Sequence, residues 1–248
     1  MSLGVKVHFA MLSKEGGRPR NEDYVRADEK SGEYLFALAD GLGGHGKGDE
    51  ASRLAAEEAC LSFQQAPPHA DCLKDAFENA QRRIREEKVH RGLFSAMKTT
   101  LVLLQLDGEK AMWAHVGDSR LYMFQNNKLK SRTRDHSVPQ MLALIGEIKE
   151  SEIRNHPDRS RLLRALGGEE ETCQCERSES LILTGRSAFL LCSDGFWELV
   201  RERDMEQTLK KSADPAEWLE RMEKILQQNG AAADQDNYSA IAIWVSEE

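Results

Sequence analysis

Apolar residues alternate or cluster over Val5–Leu12, Tyr34–Ala39, Thr99–Leu106, Ala111–Val116, Leu121–Gln125, Cys173–Leu183, Ala188–Cys192 and Tyr238–Val245, and each run predicts a β-strand. Turn signals bound them, such as Asp107 with Gly108 and Asn126 with Asn127. A second rhythm, of three- and four-residue spacing, predicts helices. Leu54, Ala55 and Ala59 mark one that starts near Gly48. Cys72, Leu73, Ala76, Phe77, Ala80 and Ile84 mark another, and Trp218, Leu219, Met222, Ile225 and Leu226 a third. Two helices fall between the second and third strands and at least one precedes the last, with long β-meanders between. Simple βαβ alternation therefore fails, and an α+β layered fold is predicted. The final strand is apolar on both faces, which places it centrally. Residues 137–172 lack a regular pattern, with short helical pieces expected around Val138–Ile145 and Arg161–Leu166; so long an excursion is more often functional than filler. No repeat or linker interrupts the chain, so residues 1–248 read as one domain.

Composition narrows the class. A chain of 248 residues, 40% of them hydrophobic, suits one sizeable core. No run of apolar residues is long enough to span a bilayer. Met1–Phe9 is too short and polar for a secretory segment, so a cytoplasmic location is expected. The five cysteines are irregularly spaced. Cys173 and Cys175 would share one strand face, but no second pair or nearby histidine completes a zinc site, so structural thiols are expected. The net charge is −8, from 42 acidic and 34 basic residues. No basic stripe suggests a nucleic-acid partner. An acidic protein acting on an anionic substrate must recruit positive charge, and bound metal cations would supply it.

Candidate chemistry lies at strand ends. Three apolar strands finish in an aspartate followed by a small residue: Asp40 with Gly41, Asp118 with Ser119, and Asp194 with Gly195. Two further segments place acids just before a strand, Glu22 and Asp23 ahead of Tyr24, and Asp236 ahead of Tyr238. In an antiparallel pair the end of one strand lies beside the start of its neighbour, so all five acidic sites could converge on one rim. Clustered carboxylates repel, and a cation relieves them. Their hard oxygens favour Mg²⁺ or Mn²⁺ over zinc. Gly41, lacking Cβ, would let its carbonyl approach an ion closely. Asp-Gly pairs also make ordinary turns, and each site alone could be one; five together, all at strand edges, are poorly explained that way.

These residues also stand in the order of a known family. Arg18, Asn21, Glu22 and Asp23; Asp40, Gly41, Gly43, Gly44, His45, Gly48, Ala51 and Ser52; Met97, Lys98, Thr99 and Thr100; Gly117, Asp118, Ser119 and Arg120; Asp135, His136 and Ser137; Ser193, Asp194 and Gly195; and Asp236 with Asn237 form seven blocks in register. Together they resemble the bacterial type-2C metal-dependent Ser/Thr protein phosphatases. The resemblance implies a four-layer α-β-β-α sandwich, two antiparallel β-sheets flanked by helix pairs, with residues 137–172 as the family's flap. It implies that Asp40 bridges two Mg²⁺ or Mn²⁺ ions, that the Gly41 carbonyl helps hold one, and that Asp194 with Asp236 completes the other. Asp23 and Glu22 would bind through metal-held waters, Asp118 with Asp194 would form a weaker third site, and Arg18 would grip the phosphate. The reaction would be hydrolysis of phosphoserine and phosphothreonine in proteins by a two-metal-activated water, opposing a Ser/Thr kinase, with the chain a monomer.

Departures are local. Leu42 stands where many eukaryotic members carry a histidine proposed as general acid, and Lys98 replaces a common glycine. His45 is expected to fix the glycine-rich loop. Cys192 lies beside Asp194 but lacks the Cys-x5-Arg loop of thiol phosphatases, and nothing basic in sequence would lower its pKa. Two other classes compete: a phosphatase-like binding or sensor module without catalysis, and a two-metal nuclease or phosphodiesterase. The intact aspartate set argues against the first, and the missing basic groove against the second.

Overall fold

The computed structural model describes residues 5–93, 95–169, 174–230 and 235–247, without the side chains of His45 and Glu247. Two antiparallel sheets lie face to face. One has the order β1 (Val5–Lys14), β11 (Tyr238–Glu247), β10 (Ser187–Cys192), β6 (Arg120–Gln125) and β7 (Lys128–Arg132). The other runs β2 (Asp23–Lys30), β3 (Glu33–Asp40), β4 (Leu101–Asp107), β5 (Lys110–Val116) and β8 (Glu176–Arg177), with β9 (Leu181–Ile182) also on β5. Between them Phe36, Leu38, Val102 and Leu104 of one sheet meet Leu121, Phe189, Ile241 and Ile243 of the other. Strands buried on both faces lose their alternation, which is why β3, β4, β10 and β11 read as near-continuous apolar runs.

Each sheet's outer face is covered by a helix pair. The alanine-rich stripe of α1 (Gly48–Gln65) and the Leu73, Ala76, Phe77, Ala80 and Ile84 face of α2 (Leu73–Arg91) pack on Leu35, Ala37, Leu101 and Leu103. On the opposite side α5 (Glu202–Lys211) and α6 (Pro215–Asn229) set Met205, Leu209, Trp218 and Met222 against Tyr122, Phe124, Leu190 and Ala242. Asp214 caps α6 by accepting from the Glu217 N–H, with Pro215 opening its first turn. The result is the layered α+β fold that the pattern predicts, in the four-layer sandwich form that the family resemblance implies.

Several local expectations need correction. Arg161–Leu166 is not helical: its backbone groups are spent on an extended run, with bridges from Leu162 to Ser137 and from Leu166 to Thr99. The predicted strand Cys173–Leu183 is two short strands, β8 and β9; Cys173 lies outside the described residues, and Cys175 precedes β8. The first helical piece expected within residues 137–172 is present, α3 spanning Val138–Leu144 behind a Ser137 cap. Among the described residues no helix is long and apolar enough to cross a membrane.

Candidate active site

The sheet register brings the distant acids together. Asp23 opens β2 and Asp40 closes β3, and the two are directly paired. Like charges facing each other across strands destabilise a sheet. In the other sheet β10 and β11 are antiparallel neighbours, so Asp194, just past the end of β10, and Asp236, just before β11, fall at the same end. Asp118 sits in the turn that carries the chain from β5 in one sheet to β6 in the other. Asp40, Asp118, Asp194 and Asp236 line one cleft of about 1030 Å³, with Arg18, Glu22, Gly41 and Lys98. A groove of similar size, about 1170 Å³, runs along α2 past Phe77 and Val89, so size alone does not mark the site. Convergent carboxylates do.

The scaffold that orients them is mostly hydroxyls and amides. Ser193 donates to Asp23 Oδ2 at 2.8 Å and accepts from the Ser239 N–H. The Asp40 N–H donates to Thr100 Oγ1 at 3.0 Å, Thr99 Oγ1 donates to the Asp40 carbonyl at 2.9 Å, and Thr100 Oγ1 lies 2.7 Å from Ser119 Oγ. Asn237 closes the ring. Its Oδ1 accepts from the Glu22 N–H, and its Nδ2 donates to the carbonyls of Glu15 and Arg20, fastening the N-terminal segment to the start of β11. Gly41 has a packing reason to be glycine besides the one expected: a Cβ there would meet the Gly48 carbonyl oxygen at 2.2 Å, so its lack of a side chain lets α1 start against the end of β3.

Asp118 stands on a buried polar unit. Gly117 holds a φ of +100°, and a Cβ on it would meet Thr100 Cγ2 at 2.5 Å. The His136 N–H donates to the Gly117 carbonyl, and the Gly117 N–H to His136 Nδ1. Trp197 Nε1 donates to the Asp118 carbonyl at 2.9 Å, while its ring lies 3.4 Å under the Arg120 guanidinium. Arg120 forks onto Asp135 at 2.7 and 2.6 Å, both side chains almost wholly buried. These contacts give Arg120, Asp135 and His136 a role in positioning the turn. Asp135→Ala would leave the buried Arg120 charge with only the more distant Glu202, at 3.9 Å, as an ionic partner, and an expected loss of about 3–5 kcal/mol in unfolding free energy can be read by urea denaturation; a loss below about 1 kcal/mol would contradict this account.

Electrostatics leave the cluster unbalanced. Burial first, then the neighbouring aspartates, push the carboxyls of Asp40 and Asp118 well above the usual carboxylate range. Asp23 rises to about 6 and Asp194 to about 7, with burial the main cause in each. Asp23 Oδ1 is buried without a hydrogen-bond partner among the described residues. Repelling carboxylates, an orphaned acceptor and an all-oxygen donor set fit hard divalent cations of the Mg²⁺ or Mn²⁺ kind. Arg18 and Asp236, expected in separate roles, form a bidentate pair at 3.0 Å in the cleft mouth. Glu22 also lines the cleft, its carboxyl raised by burial and by Asp49. Burial likewise drives the Cys192 thiol far up, which removes it as a nucleophile.

Two antiparallel sheets, outer helix pairs and a carboxylate-lined cleft define a metal-dependent phosphatase. The family model for protein phosphatase 2C matches residues 14–236. A serine/threonine phosphatase stp of Listeria monocytogenes is 35% identical over 204 residues, covering 78% of this chain and 79% of the relative. The crystal structure of the Mycobacterium tuberculosis serine/threonine phosphatase PstP/Ppp superposes with a TM-score of 0.84 at 29% identity, covering 98% of this chain and 99% of that one. The catalytic domain of PstP in complex with two manganese ions gives 0.82 at 26% identity, covering 98% and 100%. The chain belongs to the protein phosphatase 2C family.

Proposed function

We propose that residues 1–248 form one catalytic domain that hydrolyses phosphoserine and phosphothreonine in proteins, opposes a Ser/Thr kinase and works as a monomer. The observation that carries this reading is the meeting of Asp23, Asp40, Asp118, Asp194 and Asp236, from both sheets, at one rim. Asp40 and the Gly41 carbonyl, with Asp194 and Asp236, would hold two Mg²⁺ or Mn²⁺ ions; Asp118 with Asp194 would hold a weaker third, and Asp23 and Glu22 would act through water. Such ions, when bound, lower the pKa of a water and offset charge on phosphoryl oxygens.

The chain's own contribution is orientation. Ser193 and Thr100 fix the approach of Asp23 and Asp40. The Arg18 fork, which now grips Asp236, matches two phosphate oxygens equally well and would exchange one anion for the other. The flap, residues 137–172, contributes Ser160 to Ala165 to the cleft wall and would meet the substrate chain.

Mn²⁺-dependent release of phosphate from a phosphothreonine peptide and from p-nitrophenyl phosphate tests the proposal; metal-replete protein with no turnover on either would refute it. Arg18→Ala is expected to raise KM for the peptide about tenfold while kcat stays within about threefold, because the grip is similar in ground and transition states. Steady-state kinetics at saturating Mn²⁺ checks it, and a loss confined to kcat would reassign Arg18 to the transition state.

A further inference from the structure

Five cationic side chains line the cleft: Arg18, Arg20, Lys98, Arg161 and Arg164. Three are already paired, Arg18 with Asp236, Arg20 with Asp49 and Arg161 with Asp158. Lys98 and Arg164 make no side-chain hydrogen bond or ion pair among the described residues. Both belong to one wall. Thr99 and Leu166 exchange backbone hydrogen bonds at 3.2 and 2.9 Å, so the segments carrying Lys98 and Arg164 are stitched side by side. Lys98 is half-buried and Arg164 exposed. Leu163, 40% exposed, adds an apolar contact to the same wall.

Two uncommitted cations are notable in a cleft that also gathers Asp40, Asp118, Asp194 and Asp236, in a protein of net charge −8. Were their task to neutralise the aspartates, one of them would lie within ion-pair distance of a carboxylate, and neither does. Resting on the phosphatase reading, we propose that Lys98 and Arg164 form a subsite for acidic side chains flanking the phosphorylated residue, so that the preferred substrates are phosphopeptides with aspartate or glutamate beside the phosphoserine or phosphothreonine. A carboxylate entering this wall displaces only water, since no internal partner must be given up. Its attraction is strengthened by the partly dry cleft and weakened by salt. The wall is distinct from Arg18, which lies at the mouth of the cleft on Asp236.

The test compares kcat/KM on three phosphothreonine peptides that differ only in flanking residues: glutamate, alanine or lysine. Wild type in Mn²⁺ is expected to favour glutamate over alanine about tenfold, through KM, from two partly exposed charge pairs acting together. High salt should shrink the ratio. In the Lys98→Gln/Arg164→Gln double variant it should fall below about twofold, and Lys98→Glu/Arg164→Glu should favour the lysine peptide. Because the readout is a ratio within each enzyme, a general loss of activity does not imitate it. Equal loss on all peptides would mean that these cations bind the reacting phosphate itself, and would overturn the proposal. So would a wild type indifferent to the flank. No hydrolysis of any peptide by wild type would instead sink the phosphatase reading.

Discussion

Asp194→Asn is expected to lower kcat by two orders of magnitude or more at saturating Mn²⁺, the usual scale for removing preorganised charge from an active site. The substitution keeps volume and a hydrogen-bonding side chain, so packing at the first turn of α4 (Asp194–Trp197) is preserved. What it removes is a negative charge that sits half-buried in the cleft beside Glu198, Asp236 and Asp23. The same change should make the metal-free protein more stable, because the repulsion that raises these carboxyls is partly relieved. Lower turnover with a higher metal-free Tm is therefore the paired signature, read by phosphopeptide kinetics and by thermal melts in chelator. A variant with near-normal kcat would show that the site has been misplaced.

That opposition between stability and function explains what could be read from sequence. The core strands were legible because burial on both faces writes itself as apolar runs, as in Leu101–Asp107 and Tyr238–Glu247. The acids were legible because five sites break or precede those runs at their ends, more than ordinary turns explain together. Two of the edge strands were less so. Residues 23–30 and 128–132 are mostly half-exposed and charged, so their pairing comes from the neighbouring strand rather than from their own pattern. α5 escaped notice for a similar reason: it buries little beyond Met205, Thr208 and Leu209.

Within the site, Ser193, Thr100, Ser119 and Asn237 carry no charge to announce them. Their hydrogen bonds exist only once β2, β4 and β11 are in register. The Arg120–Asp135 pair is fifteen residues apart and becomes intelligible only when Trp197, from a third segment, closes over it. The extended run at Arg161–Leu166 was missed because helical spacing of Leu162, Leu163 and Leu166 is also what two bridges on opposite sides require. Sequence pattern reports burial and charge well. It reports poorly on partners that come from far along the chain.

Removing the metal should expose the strain directly, and with a characteristic pH dependence. A carboxyl raised in the folded state keeps its proton where the unfolded chain has lost it, so folding takes up protons and metal-free stability falls as pH rises. The window opens near the ordinary aspartate value of 3.8 and runs to about 7 for Asp194 and about 6 for Asp23. Across it the metal-free protein should lose on the order of a few kcal/mol. Mn²⁺ acts in the opposite sense: it competes with those protons, so its affinity climbs over the same interval. Ligand present at a thousand times its dissociation constant adds about 4 kcal/mol. At roughly 2–4 °C per kcal/mol, Mn²⁺ should therefore raise Tm by about 10 °C at pH 8 and by far less at pH 5. Thermal melts in chelator and in Mn²⁺ across that range measure both slopes. Metal-free stability that rises with pH would mean that these aspartates are already balanced by the protein itself, and the need for cations at this rim would lose its physical basis.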